Sequence, residues 1–161
     1  MTLPDWLPPM LDLTGDWDDC LEQLYAVFAR DFKSGTLRFA GTPVWHDRTL
    51  VDGYEACFWH LVTRDDKRAG ERHPDLLRAE RLPWCAAILT HAHHPAVTFW
   101  RYREGDGRVR SYAWLESGDY VVVLEAKQKR IGLVAYMITA YHIDGSSRRR
   151  NLQRRYENRE P

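Results

Sequence analysis

Residues 96–142 alternate with a period of two along four consecutive runs, and this pattern most constrains the fold. Turn residues separate the runs at 104–107, at 117–119 and, we predict, at 127–129. Successive side chains of a strand point to opposite faces of a sheet, so the alternation predicts strands. Short turns join antiparallel neighbours, and the four runs therefore predict a four-stranded antiparallel meander.

An acidic amphipathic helix is predicted within residues 14–35. Asp16 is a good N-cap, and apolar or aromatic residues recur at helical spacing from Trp17 onward. The acids fall in the first turn and on the other face, where the helix dipole favours them. Residues 1–13 are proline-rich and predict an arm, and residues 36–161 predict an α+β core within the same single domain.

Further helices flank the predicted sheet. Pro74 opens a helix and Pro83 restarts or kinks it, because proline cannot continue the hydrogen-bond ladder. A basic helix capped by Ser146 or Ser147 follows the last strand. The run 64–73 is almost wholly charged and predicts an exposed loop. The order of elements predicts an α+β fold, with the N-terminal helices packed on the sheet and a basic helix closing the chain.

The formal net charge is zero, but acidic and basic residues are unevenly distributed along the chain. The first 29 residues carry six acids and no lysine or arginine, whereas residues 127–161 carry nine bases and three acids. A basic C-terminal end suits a polyanionic partner. It equally suits a solvated helix end that complements its own dipole. The pI near 7.1 lies below that usual for nucleic-acid-binding domains, so both interpretations stay open.

Several classes of protein lose support from the sequence. No apolar run approaches the ~18 residues of a membrane span, and the first residues lack the features of a secretory signal. The three cysteines are widely spaced and predict free thiols. We therefore expect a cytoplasmic protein with no membrane partner. The P-loop, nucleophile-elbow and zincin motifs are also absent from the sequence.

Three histidines, at positions 91, 93 and 94, invite a metal interpretation. Metal sites usually draw their ligands from more widely spaced positions with a supporting outer shell. The histidines stand before Pro95 at a predicted helix end, where the dipole favours them. We therefore expect adventitious metal affinity only, and predict no metal site and no cofactor.

The segment 58–64, with the sequence FWHLVTR, places a titratable group inside an apolar, aromatic run. His60 can both take and give a proton near neutral pH. Thr63 carries a hydroxyl and Arg64 a guanidinium that can hold a phosphate. The alternative is a partly buried histidine that only hydrogen-bonds a neighbour.

Two arginines come just before the predicted helix bend at Pro83. Arg78 and Arg81 lie on either side of Glu80, which can hold one of them while the other faces a ligand. A surface ion-pair network of little energetic weight is the alternative.

The last strand ends in two hydroxyl-bearing residues, Thr139 and Tyr141. Their spacing of two predicts a shared face, together with Ala135 and Met137. Two hydroxyls can orient a phosphate or a 2′-hydroxyl, and Tyr141 can also stack on a base. A core-edge tyrosine beside a strand-favouring threonine is the alternative.

Four segments together resemble the phage-type nucleases of the Barnase–EndoU–colicin–RelE superfamily, over roughly residues 44–157. They are FWHLVT at 58–63, RAERLPW at 78–84, YVVVLE at 120–125 and TAY at 139–141. Members of this family are small, metal-independent ribonucleases, often toxin modules, with helices preceding a four-stranded antiparallel sheet. The resemblance implies a toxin-like or phage-associated endoribonuclease acting on RNA such as tRNA or rRNA.

The resemblance also implies roles for individual residues. His60 would remove the proton of the 2′-hydroxyl, which then attacks the adjacent phosphate. Arg81 or Arg64 would stabilise the developing charge. Tyr141 would position the base or the leaving group, and Thr139 would line the same cleft. The expected substrate-binding side chains are those of Thr63, Arg64, Arg78, Arg148 and Arg149.

Non-catalytic alternatives remain open at this point. The same cleft could bind RNA or a protein partner and cleave nothing. The acidic helix could instead meet a protein, such as an inhibitor or an antitoxin. Likeness of fold alone does not establish activity.

Overall fold

The computed structural model describes residues 2–66 and 70–161. Within them the helices are α1 (Trp17–Phe32), α2 (Ala56–Val62), α3 (Leu76–Ala79), α4 (Leu82–Thr90) and α5 (Gly145–Glu157). The first six strands are β1 (Arg38–Phe39), β2 (Thr42–Trp45), β3 (Leu50–Val51), β4 (Tyr54–Glu55), β5 (Thr63–Asp66) and β6 (Glu71–Pro74). The remaining strands are β7 (Val97–Arg103), β8 (Val109–Leu115), β9 (Tyr120–Lys129) and β10 (Gly132–His142).

The main sheet has six strands in the order β1-β2-β10-β9-β8-β7. β7 to β10 pair as antiparallel neighbours, but β2 lies parallel to β10, with Val44 opposite Ala135. The α+β class predicted from the sequence is confirmed. The predicted four-stranded antiparallel sheet is wrong, because the sheet is mixed and two further short strands extend it. β2 is only four residues long, and its partner lies far along the chain, so no local pattern signals the pairing.

Helices cover both faces of this sheet. On one face α1, α2 and α4 bury a core that includes Phe28 and Phe58 against Val122 of β9. On the other face Leu152 of α5 packs into a smaller cluster with Trp114. Each fully buried large side chain contributes about 1.5–3 kcal/mol through the area it removes from water. The closing basic helix is confirmed as α5, although its N-cap is Asp144 and not Ser146 or Ser147.

A bulge in β10 changes which residues share a face. Met137 lies opposite Leu124, whereas Thr139 lies opposite Val123, so Ile138 is an extra residue in the strand. Thr139 and Tyr141 consequently lie on the face that α5 covers. The predicted grouping of these two residues with Ala135 and Met137 is wrong, because the extra residue reverses the alternation.

The charged run 64–73 is also not a loop throughout. β5 pairs with β6, and Asp65 lies opposite Arg72. The Arg72 guanidinium donates to the Asp65 carboxylate at 2.5 Å and to the Thr63 hydroxyl at 2.6 Å. These cross-strand bonds stabilise a hairpin that charge density alone does not indicate. Residues 67–69 of the predicted loop lie outside the described residues.

The proline-rich arm lies against α4. The Trp84 indole donates to the Pro8 carbonyl at 2.8 Å, and the ring of Trp6 stacks on that of His91 with centroids 4.2 Å apart. Within the described residues, no helix combines the length and apolar character that crossing a membrane requires. The same residues contain no group of three or more metal-ligating side chains, including around His91.

The buried imidazole of His46 leads to a pH prediction. Burial between Phe28 and Phe32 lowers the pKa of His46 below its ordinary 6.5, and Arg48 lowers it further. Below about pH 6.5 His46 binds a proton in the unfolded chain but stays neutral in the folded protein. The free energy of unfolding therefore falls as the pH drops. We expect His46→Gln to flatten this fall in melting temperature, whereas His93→Gln, at an exposed histidine, should leave it unchanged. Parallel pH profiles for the parent and the His46 variant would contradict the assignment.

Candidate nucleic-acid interface

A basic cleft of about 530 Å³ opens between α3, the end of β10 and α5. We call it the arginine cleft, and its lining residues are Arg78, Tyr141, Arg148, Asn151 and Arg155. Three guanidinium groups thus share one concave surface with an aromatic ring and a side-chain amide. Such a surface suits an anion attached to a planar group.

One face of α5 supplies most of the cleft. Arg148, Asn151 and Arg155 are three and four residues apart, so they lie along the same side of the helix. Leu152, next to this side, is buried and anchors the helix on the sheet. The carboxylate of Glu104 lies 4.0 Å from Arg155 and partly offsets its charge. Arg148 has no carboxylate partner in the part of the chain that the structure describes.

Arg78 forms the opposite wall and is held in place by the backbone. Its Nη1 donates to the carbonyls of His60 and Thr63, both at 2.8 Å. Its guanidinium carbon lies 5.7 Å from the centroid of the Tyr141 ring. Burial lowers the pKa of Arg78, and Asp75 opposes the shift, but a guanidinium still stays charged near neutral pH. Arg78 therefore joins the end of α2 to the cleft.

Tyr141 contributes a protonated phenol. Burial raises the pKa of Tyr141, and the neighbouring guanidinium groups of Arg155, Arg78 and Arg148 only partly counteract the rise. The hydroxyl therefore keeps its proton near neutral pH and can donate a hydrogen bond. Its ring offers an aromatic face on the same side of the sheet as α5.

The structure brings three of the predicted site residues together and leaves the others outside the lining. Arg78, Tyr141 and Arg148 share the cleft. His60 reaches it only through its carbonyl, and Thr139 lies two residues from Tyr141 on the same strand face. The predicted residues outside the lining are His60, Thr63, Arg64, Arg81, Thr139 and Arg149.

The imidazole of His60 is half-buried on α2. Burial lowers the pKa of His60, and Arg72 lowers it further, while Asp65 and Asp47 oppose the shift. A lowered pKa leaves the ring neutral at pH 7, which is the state that accepts a proton.

Thr63 and Arg81, two other predicted site residues, form hydrogen bonds within the β5–β6 hairpin and at the bend between α3 and α4. The Thr63 hydroxyl donates to the Trp59 carbonyl at 2.5 Å and accepts from Arg72. Arg81 donates to the Leu77 carbonyl and the Glu80 carboxylate, both at 2.7 Å. Both side chains stabilise local structure where they lie.

The last two predicted arginines point away from the cleft or into solvent. Arg149 pairs with Asp119 and lies over the Trp114 ring, with 5.2 Å from its guanidinium carbon to the ring centroid. Arg64 is exposed on β5. Arg155 belongs to the basic helix predicted from the sequence, whereas sequence reasoning missed Asn151, although its spacing of three from Arg148 along that helix could have found it.

No family model matches this sequence, and no curated protein and no solved structure matches it. Function is therefore inferred from the arginine cleft and from the four short segments named above.

Proposed function

We propose that this protein is a metal-independent endoribonuclease that binds an RNA phosphate in the arginine cleft. The convergence of Arg78, Arg148 and Arg155 around the Tyr141 ring carries the proposal. Arginine forks bind phosphate oxygens in two places at once, and aromatic rings stack on unpaired bases. The Asn151 amide can both donate and accept, which suits a 2′-hydroxyl or a base edge.

The proposed chemistry has the scissile phosphate beside Arg78, on the side of the cleft that adjoins α2. A neutral His60 takes the proton of the 2′-hydroxyl, and the oxygen attacks the adjacent phosphorus. The bond from phosphorus to the 5′-oxygen breaks, and the phenol of Tyr141 or water returns a proton to that oxygen. Arg78, which also bonds the carbonyl of His60, stabilises the charge that develops on the phosphorane, and Arg148 and Arg155 hold a neighbouring phosphate of the same RNA. The products are a 2′,3′-cyclic phosphate and a 5′-hydroxyl.

Binding of RNA without cleavage is the second candidate, and one observation favours it. The side chains that line the arginine cleft include neither an imidazole nor a carboxylate. RNA would have to extend from the cleft toward α2 to bring its 2′-hydroxyl to His60.

Incubation with total tRNA and rRNA in EDTA, followed by mapping of new ends, separates the two candidates. New ends carrying 2′,3′-cyclic phosphate support the nuclease. Intact RNA that nevertheless binds the protein supports the binding module and refutes the nuclease.

We expect charge reversal at the cleft side of α5 to weaken RNA binding. Arg148→Glu with Arg155→Glu should reduce affinity by tenfold or more. It should also lower the slope of log affinity against log salt by about 1.4, if each arginine neutralises one single-strand phosphate. Fluorescence anisotropy with an uncleavable 2′-O-methyl RNA gives both quantities.

The same helix offers a matched control. Arg150→Glu with Arg154→Glu changes the net charge equally, at two exposed positions away from the cleft face. Equal losses of affinity in both double variants would mean that only the overall charge matters, and would contradict binding in the cleft.

A further inference from the structure

A second cavity, of about 490 Å³, lies beside β2. We call it the Glu55 cavity, and its lining includes Lys33, Arg38, Trp45, His46, Arg48 and Glu55. Ile131, just before β10, also lines it, whereas Tyr141 near the other end of that strand lines the arginine cleft. At ~3.3 Å per strand residue Ile131 and Tyr141 are roughly 30 Å apart, and among the described residues the two sites have no lining residue in common.

The carboxylate of Glu55 is only half satisfied by the protein. Glu55 is 6% exposed, and its Oε1 accepts from the Tyr25 hydroxyl at 2.9 Å and from Lys33 Nζ at 3.0 Å. Its Oε2 is buried without a hydrogen-bond partner in the described chain. A buried acceptor that lacks a donor costs stability, so this oxygen would gain from a donor that a ligand brings.

Glu55 nevertheless carries its charge. Burial opposes ionisation, but the hydrogen bonds from Lys33 and Tyr25 outweigh it and lower the pKa of Glu55. The cavity therefore holds a carboxylate and not a neutral acid. The last torsion of a glutamate is soft, so a small rotation can turn Oε2 toward an entering donor.

The mouth of the cavity is cationic. Lys33 is paired with Glu55, which leaves the guanidinium groups of Arg38 and Arg48 uncompensated. Arg38 donates only to the carbonyls of Gly35 and Leu37, and neither arginine has an acidic partner among the described residues. An anionic group such as a phosphate would complement this pair.

Trp45 and His46 form the remaining wall. Trp45 lines the cavity and is partly exposed, and indole rings are surfaces on which planar groups stack. His46 is 8% exposed, and its lowered pKa keeps the ring neutral, so it has one donor and one acceptor nitrogen. The cavity thus combines two arginines that can bind an anion, the aromatic residue Trp45, and the Glu55 carboxylate, whose Oε2 lacks a hydrogen-bond donor among the described residues.

We propose that the Glu55 cavity binds a nucleotide whose base carries a ring N–H, as uracil and guanine do. The phosphate lies on Arg38 and Arg48, the base lies against Trp45, and the ring N–H donates to Glu55 Oε2. Adenine and cytosine present a ring nitrogen acceptor in the corresponding place, and that lone pair would face the carboxylate. This site is independent of the arginine cleft and of RNA cleavage.

Calorimetric titration of the full chain with UMP, GMP, AMP, CMP and inorganic phosphate tests the proposal. We expect UMP and GMP to bind about tenfold or more tightly than AMP and CMP, because the ring nitrogen of adenine and cytosine sets a lone pair against the carboxylate and their amino N–H groups lie to the side of that position. Inorganic phosphate should bind most weakly, since it contacts only the arginines. Equal affinity for all four nucleotides, phosphate binding as tight as that of UMP, or no binding at millimolar concentration would each overturn the proposal.

Variants locate the ligand within the cavity. Glu55→Gln should abolish the preference among bases, and Arg48→Gln should weaken all four nucleotides by about three- to tenfold. Arg108→Gln, at a 63% exposed side chain of the β7–β8 turn, is the matched control and should change nothing. If Glu55→Gln does not fold, the proposal is still tested by two measurements. They are the base preference of the parent protein and the loss of nucleotide affinity in Arg48→Gln.

RNA binding in the arginine cleft and nucleotide binding in the Glu55 cavity can be tested independently of each other. The double variant Arg148→Glu with Arg155→Glu should lose RNA affinity and keep nucleotide binding in the Glu55 cavity. Loss of nucleotide binding in that variant would place the nucleotide in the arginine cleft and overturn the second site.

Discussion

His60→Ala should lower the rate of RNA cleavage by about two to four decades, which is the usual contribution of a positioned general acid or base. Single-turnover cleavage of a short RNA in EDTA measures the loss. In the parent, the rate should rise with pH to a plateau. The midpoint of this rise should lie below pH 6.5, because burial and Arg72 lower the pKa of the imidazole. A His60 variant as fast as the parent would remove this residue from the mechanism.

His142 is the sharpest control for that assignment. It follows Tyr141 on β10, burial and Arg81 lower its pKa, and its Nδ1 is buried without a partner in the described chain. It is therefore a second imidazole, close to the cleft residue Tyr141, that could serve as the base. His142→Ala should leave cleavage nearly unchanged, as should His93→Ala at an exposed position. A large loss in the His142 variant, with a normal His60 variant, would move the base to β10.

Arg78→Met should reduce the free energy of unfolding by about 2–4 kcal/mol and also weaken RNA binding. The Arg78 side chain is 12% exposed, and its removal takes a donor from the carbonyls of His60 and Thr63 and a cation from beside Asp75. Denaturant unfolding gives the stability, and anisotropy with uncleavable RNA, under conditions where the variant is folded, gives the affinity.

Arg81→Met separates the two effects. Arg81 is similarly covered, with 13% of its side chain exposed, and it also donates to a carbonyl and pairs with a carboxylate, but it lies outside the cleft. We expect a comparable loss of stability with RNA affinity retained. Arg78→Lys should keep part of the affinity through its charge, because one ammonium cannot reproduce the planar fork. If Arg78→Met binds RNA as well as Arg81→Met does, Arg78 is a structural residue only.

Much of the secondary structure could be predicted from the sequence, because it depends on near neighbours. The helix from Trp17 to Phe32 and the four alternating runs within 96–142 are present close to where the periodicity places them. The pattern failed where a distant contact decided the outcome. Arg72 converts a charged run into a hairpin, and one extra residue at Ile138 reverses the faces of the last strand.

The candidate site was predictable only in part. Arg78, Tyr141 and Arg148 were chosen from separate segments, and they do share one cleft. Arg149 stands next to Arg148 in the sequence, yet it pairs with Asp119 elsewhere, since adjacent helix residues point about 100° apart. The Glu55 cavity had no sequence signal, because its lining comes from α1, β1, β2 and β4, from residues that flank them, and from Ile131 before β10.

By itself the sequence determined the α+β class, the basic closing helix and the set of side chains able to contact phosphate. Periodicity and charge are local properties, and neighbouring residues suffice to establish them. Only the tertiary structure decided that β2 lies parallel to β10, that α5 covers the second face and that three particular arginines converge. These outcomes depend on contacts between residues far apart in the chain, where burial of apolar faces selects one arrangement among many that local patterns allow.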